Sequence, residues 1–352
     1  MAIEVKEYSP KALHFEMQAL RNKGKDITLR EYLPKVFKEE ITPEQYYRKL
    51  GVHLEDMTVE KLLTQDNDSR WLFPEIFRDA IRKGLQYAPF YSKLVTGEET
   101  IANTGITMPW FNASAAALRE VEEGGDITVG SMTWDSKQVT IKKRARGLMQ
   151  TYESIMFTPI KLASIYFEDL GIQLGATLDS DLVTIAINGD QADGSEAATV
   201  MGITTAGTLL YSDIVRVWVR QNRMNRPSNV MLTNEAMAVE ILNMSAFQTP
   251  VRGQGAPLVT LNLQSALPAD QALYIHSTVP ANQVIFIDTT KAFVQLTAMK
   301  LMVESERIVN KQLNGEYASI ITGFANVFSD ARLIMDKSVT VAANPGPTPA
   351  LG

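Results

Sequence analysis

No cysteine occurs among the 352 residues, and only three histidines do, His14, His53 and His276. The first absence excludes disulfides, thiol catalysis and cysteine-ligated zinc or iron–sulfur sites, and it fits a reducing compartment. The histidines form no His-x-x-x-His pair, so each reads as a surface or packing residue rather than a zinc ligand. There is no Gly-x-x-x-x-Gly-Lys-Ser/Thr phosphate loop and no Gly-x-Ser-x-Gly nucleophile elbow. Arg252-Gly253-Gln254-Gly255 is glycine-rich but lacks a strand-to-helix frame. Positive charge is not in excess either. The net charge of −6 argues against a coat that holds DNA by counterion release. Trp71, Trp110, Trp134 and Trp218 are too dispersed for a nucleic-acid stacking platform. No window reaches the ~18 unbroken apolar residues of a membrane span. The charged start, Met1 to Glu7, is not a secretory signal. A soluble cytosolic product without a cofactor is expected, and not an enzyme.

The 45% of hydrophobic residues suffices for a sizeable core. Residues 1 to about 105 read as short helices joined by polar turns. Ser9-Pro10, Thr28 and Thr42-Pro43 are N-cap signals. Leu72, Ile76, Phe77, Ala80 and Ile81 form a stripe at helical spacing. This region is either a small helical domain or an arm. Asp179, Asp181, Asp190, Asp193 and Glu196 are the densest acidic group. Asp190-x-x-Asp193-Gly194 lacks the spacing and terminal glutamate of a calcium loop, so a solvated helix end is the reading.

From Ala115 the pattern changes. Glu120, Glu122 and Glu123 precede Gly124-Gly125. Ile127 and Val129, then Val139 and Ile141, alternate with polar residues as strands do, with Met132 and Trp134 between them. Lys142, Lys143, Arg144 and Arg146 follow at once. This hairpin has too few apolar residues for a core of its own, and an isolated hairpin is marginal in water. It should lie on something else. The basic run is either a solvated face or the partner of the acidic run on a second copy.

A long helix comes next, with Thr158-Pro159 as its start and Asn188-Gly189 as its stop. Ala163, Phe167, Leu170, Leu174, Leu178, Leu182 and Ile185 form its stripe. About 30 residues make a rod of ~45 Å. Gly171 and Gly175 imply a bend or a close neighbour, since each weakens a helix by ~1 kcal/mol relative to alanine. A mixed α/β unit follows. Ser212 and Thr233 are its helix caps, and Asn229–Leu232, Ala272–His276 and Gln283–Ile287 are its strands. Phe293–Val309 reads as a long strand returning through an Asn314-Gly315 turn to Tyr317–Val327. The tail from Asn344 should be extended and exposed.

This order of elements resembles the tailed-phage major capsid proteins of the Hong Kong 97-like fold. Four segments carry the likeness. They are LGATLDSDLVTIAINGDQ (Leu174–Gln191), SNVMLTNEAMAVEIL (Ser228–Leu242), LYIHSTVPANQVIFIDTTKAFVQL (Leu273–Leu296) and NGEYASIITGFANVFSDARLIMD (Asn314–Asp336). The resemblance implies an α+β subunit in five parts. Residues 1–117 would be a helical arm or scaffold-like region, and 118–150 an extended loop lying over an adjacent subunit. Residues 151–200 and 289–338 would be a peripheral domain with the spine helix, 201–288 an axial domain, and 339–352 an exposed Pro-rich tail. It also implies pentamers and hexamers of an icosahedral shell around double-stranded DNA, enclosed without sequence-specific binding. Assembly would take place in the host cytoplasm, with scaffold, portal and decoration proteins as further partners and no membrane. The contact residues implied are Trp134, Lys142, Lys143, Arg144, Arg146, Glu120, Glu122 and Glu123. No lysine matches the cross-linking chemistry of some members. The alternative readings are an encapsulin-like compartment shell and a soluble enzyme using the acidic group.

Overall fold

The computed structural model describes residues 9–22, 28–37, 40–53, 57–64, 69–87, 89–102, 105–111, 132–190, 197–244 and 271–347. In chain order the elements begin with helices α1 (Pro10–Asn22), α2 (Leu29–Phe37), α3 (Pro43–Lys49), α4 (Val59–Thr64), α5 (Phe73–Tyr87) and α6 (Tyr91–Leu94). Strands β1 (Val95–Thr100), β2 (Gly105–Phe111), β3 (Met132–Thr140) and β4 (Lys142–Thr151) come next. Helices α7 (Tyr152–Phe157) and α8 (Ile160–Asn188) lead to β5 (Thr199–Ile203), α9 (Tyr211–Arg223), β6 (Val230–Thr233) and α10 (Glu235–Leu242). The chain ends in β7 (Ala272–Ile275), β8 (Gln283–Ile287), β9 (Phe293–Ile308), β10 (Leu313–Asn326) and β11 (Arg332–Thr340). Contacts divide the chain into two units. The first is Met1–Pro89, Lys143–Thr177 and Met299–Ile321, and the second is Phe90–Lys142, Leu178–Ala298 and Thr322–Gly352.

In the first unit the N-terminal helices begin where their caps predict. Ala12 N donates to Ser9 Oγ at 3.2 Å, Glu31 N donates to Thr28 Oγ1 at 3.2 Å, and Thr42 forms a capping box with Gln45. Their apolar faces are not a separate core. Leu13, Leu33, Tyr46, Leu62, Phe77 and Ile81 share one cluster with Ala163, Phe167, Leu170 and Leu174 of α8 and with Leu301 and Ile320. The ring centroids of Phe77 and Phe167 are 4.0 Å apart.

The two glycines of α8 mark a close neighbour. A Cβ on Gly171 would stand 2.1 Å from the Ile81 carbonyl oxygen, and one on Gly175 would stand 2.0 Å from Pro89 Cγ. From the facing side, a Cβ on Gly84 would meet the Glu168 carbonyl oxygen at 2.0 Å. The two helix backbones therefore touch, which no side chain at these positions allows. The start of α8 differs from expectation by one residue. Thr158 and Ile160 are held by the backbone of Met57 and Val59, so the proline precedes the helix, and Ala163 N donates to Pro159 O at 3.0 Å.

The β9–β10 hairpin corrects a sequence expectation. The turn lies at Val309–Gln312, where Gln312 takes the left-handed conformation at φ 52°, and Asn314-Gly315 lies inside β10. Gly315 serves packing instead. A Cβ there would meet the Tyr317 ring at 2.9 Å, and one on Gly147 of β4 would meet it at 2.5 Å. An aromatic ring covering strand glycines restores the packing they lack.

In the second unit five strands are ordered β5-β11-β8-β6-β7. β5 and β11 are parallel, as are β6 and β7, while β8 is antiparallel to both β11 and β6. Side-chain alternation sorts this sheet into two faces. Met231, Val284, Phe286, Leu333 and Met335 pack with Ile214, Val217, Met237 and Ile241 of α9 and α10. Leu232, Ile285, Ile287 and Ile334 pack with Leu178, Leu182, Val183 and Ala186 of α8. Burial on both faces explains the unbroken apolar runs of β6 and β8. The caps expected at Ser212 and Thr233 each shift. Leu210 N donates to Asp213 at 3.2 Å, and Met237 N donates to Asn234 at 2.9 Å. Thr233 is instead a strand residue.

The end of α8 is tied down. Gly189 has φ 82° and its N–H reaches Ile185 O at 2.9 Å. Arg332, fully buried, donates through Nη1 to the carbonyls of Ile185 and Ala186. A guanidinium suits the negative end of a helix. Burial lowers its pKa to about 10, against the opposing influence of Asp190, which leaves it charged near neutrality. The tail is also less free than expected as far as Pro347. Gly202 N donates to Asn344 O at 2.9 Å, and Arg220 Nη1 donates to Pro347 O at 3.0 Å.

Candidate assembly surface

Three features stand outside the two cores. The first is a two-stranded ribbon. β2 and β3 pair antiparallel from Gly105↔Thr140 to Phe111↔Met132, and among the described residues neither pairs with another strand. The register slips between Met108 and Trp110, where Pro109 has no N–H to give. Met132–Ser136, between the two alternating segments of the sequence, is strand as well, and β3 pairs with Gly105–Phe111. The missed signal was GITMPWF itself, which Pro109 demotes as a strand. Trp134 falls on β3. Glu120, Glu122 and Glu123 lie outside the described residues, as do Asp193 and Glu196.

The second feature is β4, which borders β10. It carries the basic run, with Lys142, Lys143 and Arg146 exposed and Arg144 half-buried. These residues therefore belong to an outer sheet strand rather than to the ribbon. Charged side chains are the usual protection of a strand with an open edge.

The third is an apolar surface on consecutive elements of the first unit. Met149 lies near the end of β4, Met156 and Phe157 end α7, and Leu162, Ile165 and Tyr166 occupy the first turns of α8. Phe157 is 76% exposed, Tyr166 57% and Ile165 55%. The last three alternate with Ala163 and Phe167, so this helix shows apolar side chains beyond its buried stripe. α8 is long and apolar enough to cross a membrane by length and composition alone, as core helices of soluble proteins also are. A helix apolar on more than one face signals a second contact. In the sequence this surface shows only as apolar residues out of phase with the stripe.

The acidic group is scattered by the fold. Asp179 is buried in the second unit, where its carboxylate accepts from Phe90 N at 3.1 Å and Tyr91 N at 2.8 Å. Asp190 accepts from Asn326 N at 3.3 Å. Solvated helix end therefore does not describe Asp179. Desolvation raises its pKa from 3.8 to about 6, although both backbone donors oppose the shift. A raised folded-state pKa makes the proton stabilising. Its contribution is complete below pH 3.8 and is lost as pH rises through about 6. Asp179→Asn removes this dependence. In urea denaturation at pH 4.5 and pH 7, the variant should gain about 2 kcal/mol over the parent chain on going to the higher pH. An unchanged difference between the two would contradict the buried-charge assignment.

No family model matches the chain, and no curated protein does. Solved structures do resemble it. A virus-like particle from Pyrococcus furiosus aligns with TM-score 0.51 at 9% identity over 74% of this chain and 97% of that one. The capsid of an empty GTA particle aligns with TM-score 0.53 at 11% identity over 72% and 90%. The capsid of a native GTA particle aligns with TM-score 0.51 at 13% identity over 70% and 89%. The fold is the Hong Kong 97-like fold, in an α+β chain.

Proposed function

We propose that this chain is the major capsid protein of a tailed phage, a structural component of the virion rather than an enzyme. Copies join into pentamers and hexamers that close an icosahedral shell around double-stranded DNA. One observation carries the reading: a fold whose solved likenesses are shells bears a ribbon that pairs only with itself and an apolar surface with nothing over it, among the described residues. Both are costly in a monomer and useful in an assembly. In this reading the ribbon, whose strand β3 falls in the expected 118–150 loop, reaches over a neighbouring copy, while β4 stays in the sheet of its own copy. Trp134, Lys142, Lys143, Arg144, Arg146 and the acids Glu120, Glu122 and Glu123 serve as contacts between copies. Residues 151–200 and 289–338 act as the peripheral domain, and 201–288 surround the capsomer axis. The net charge of −6 suits a wall that leaves its DNA free to move.

Negative-stain microscopy of the purified full-length protein, with and without crowding agents and co-expressed scaffold, tests this. Uniform hollow particles are the expected result. Particles recovered from host cells should hold double-stranded DNA; a single specific protein inside them would favour the compartment reading instead. Small species under every condition would contradict both.

A further inference from the structure

We propose that β4 of one copy adds edge to edge onto β1 of a second copy, with Lys142 and Lys143 meeting Glu98 and Glu99. The proposal rests on the capsid reading and names a contact within it. β1 is bound to β9 on one side, in parallel register, and β4 to β10 on one side. Among the described residues each therefore keeps a row of backbone groups without a strand partner, which is a template for another strand. The two differ in sign. Thr96, Gly97, Glu98, Glu99 and Thr100 are exposed in succession on β1, whereas Lys142, Lys143 and Arg146 are exposed on β4. Among the described residues none of these five charged side chains takes part in an ion pair within its own copy.

The spacing points to an edge rather than a face. Successive side chains on a strand project to opposite faces. A partner lying on one face would engage one of Glu98 and Glu99 and one of Lys142 and Lys143. A strand added at the edge presents both faces, so two adjacent acids can meet two adjacent bases. Like edges repel and unlike edges attract, which selects a head-to-tail contact between identical copies. Contacts of that kind close rings when the rotation permits.

The test uses the full-length chain in four forms: parent, Glu98→Lys/Glu99→Lys, Lys142→Glu/Lys143→Glu, and all four reversals together. Assembly yield is read by sedimentation, and folding by circular dichroism melting. Each double reversal should lower particle yield about tenfold or more, because a weak contact repeats around every ring. The fourfold reversal should return yield to within about threefold of the parent, because attraction is restored with its signs exchanged. Melting should be unchanged throughout, and the parent's yield should fall with added salt. Equal defects in the double and fourfold variants would overturn the proposal, as would normal assembly of either double variant. A defect confined to the lysine reversals would instead assign the basic partner to Glu120, Glu122 and Glu123. A parent chain that never assembles sinks the capsid reading itself, and this contact with it.

Discussion

Excising Met108–Lys137 and joining Thr107 to Gln138 through an Asn-Gly turn should leave a folded subunit that closes no shells. Thr107 and Gln138 are register partners, so the cut ends face each other across the ribbon. A two-residue Asn-Gly connection suits the twist of such a pair. Val139 and Ile141, 1% and 4% exposed, stay in place with all of β4. Among the described residues the ribbon pairs with nothing else in its own copy. Its loss should therefore move the thermal midpoint by no more than about 3 °C, a change of roughly 1 kcal/mol in a chain of this size. Assembly should suffer far more. A missing contact recurs at each interface of a closed object, so particle yield should drop by about a hundredfold or more. Circular dichroism and sedimentation read the two effects separately. Normal particles from the excised chain would remove the ribbon from assembly. An unfolded product would place it in the subunit's own core.

The largest effect on stability should come from the crossing of α5 and α8. Gly171→Ala sets two terms against each other. Alanine favours a helix interior over glycine by about 1 kcal/mol. Its Cβ, however, would lie 2.1 Å from a backbone oxygen, that of Ile81, which cannot rotate away. The helices must separate, and the contacts around Phe77 and Phe167 loosen with them. The clash should win, with a net loss of about 2 kcal/mol for Ala and about 4 for Leu, at the upper end of overpacking costs. At roughly 2–4 °C per kcal/mol, Gly171→Leu should lower the melting midpoint by about 8–16 °C. A stabilised Gly171→Ala would mean that the two backbones do not touch.

Elements defined by periodicity and caps were legible in the sequence. The stripe from Ala163 to Leu182 is buried as read, and Asn188-Gly189 ends its helix. Ser9, Thr28 and Thr42 cap the helices they announce. β7 and β8 fall where their apolar runs lie. The misreadings share a cause: a local signal was outvoted by tertiary packing. Asn314-Gly315 has the composition of a turn, yet Gln312 accepts the left-handed conformation and releases Gly315 to lie under Tyr317. Asp179 looks like a solvated acid, but the chain at Phe90 and Tyr91 folds over it, from 88 or 89 residues away. The pairing of Gly105–Phe111 with Met132–Thr140 is equally nonlocal. The candidate surface was partly legible. The basic run is plain in the sequence, but its place on β4, the acids of β1 and the exposed apolar side chains of α7 and α8 emerge only in the fold.

The particle mass of the purified protein tests the central claim most directly. Sedimentation velocity on the full-length chain, across salt and crowding conditions, should show a discrete species of about 2 MDa or more, since icosahedral closure takes roughly 60 copies at least. A single species near 39.0 kDa under every condition would contradict it.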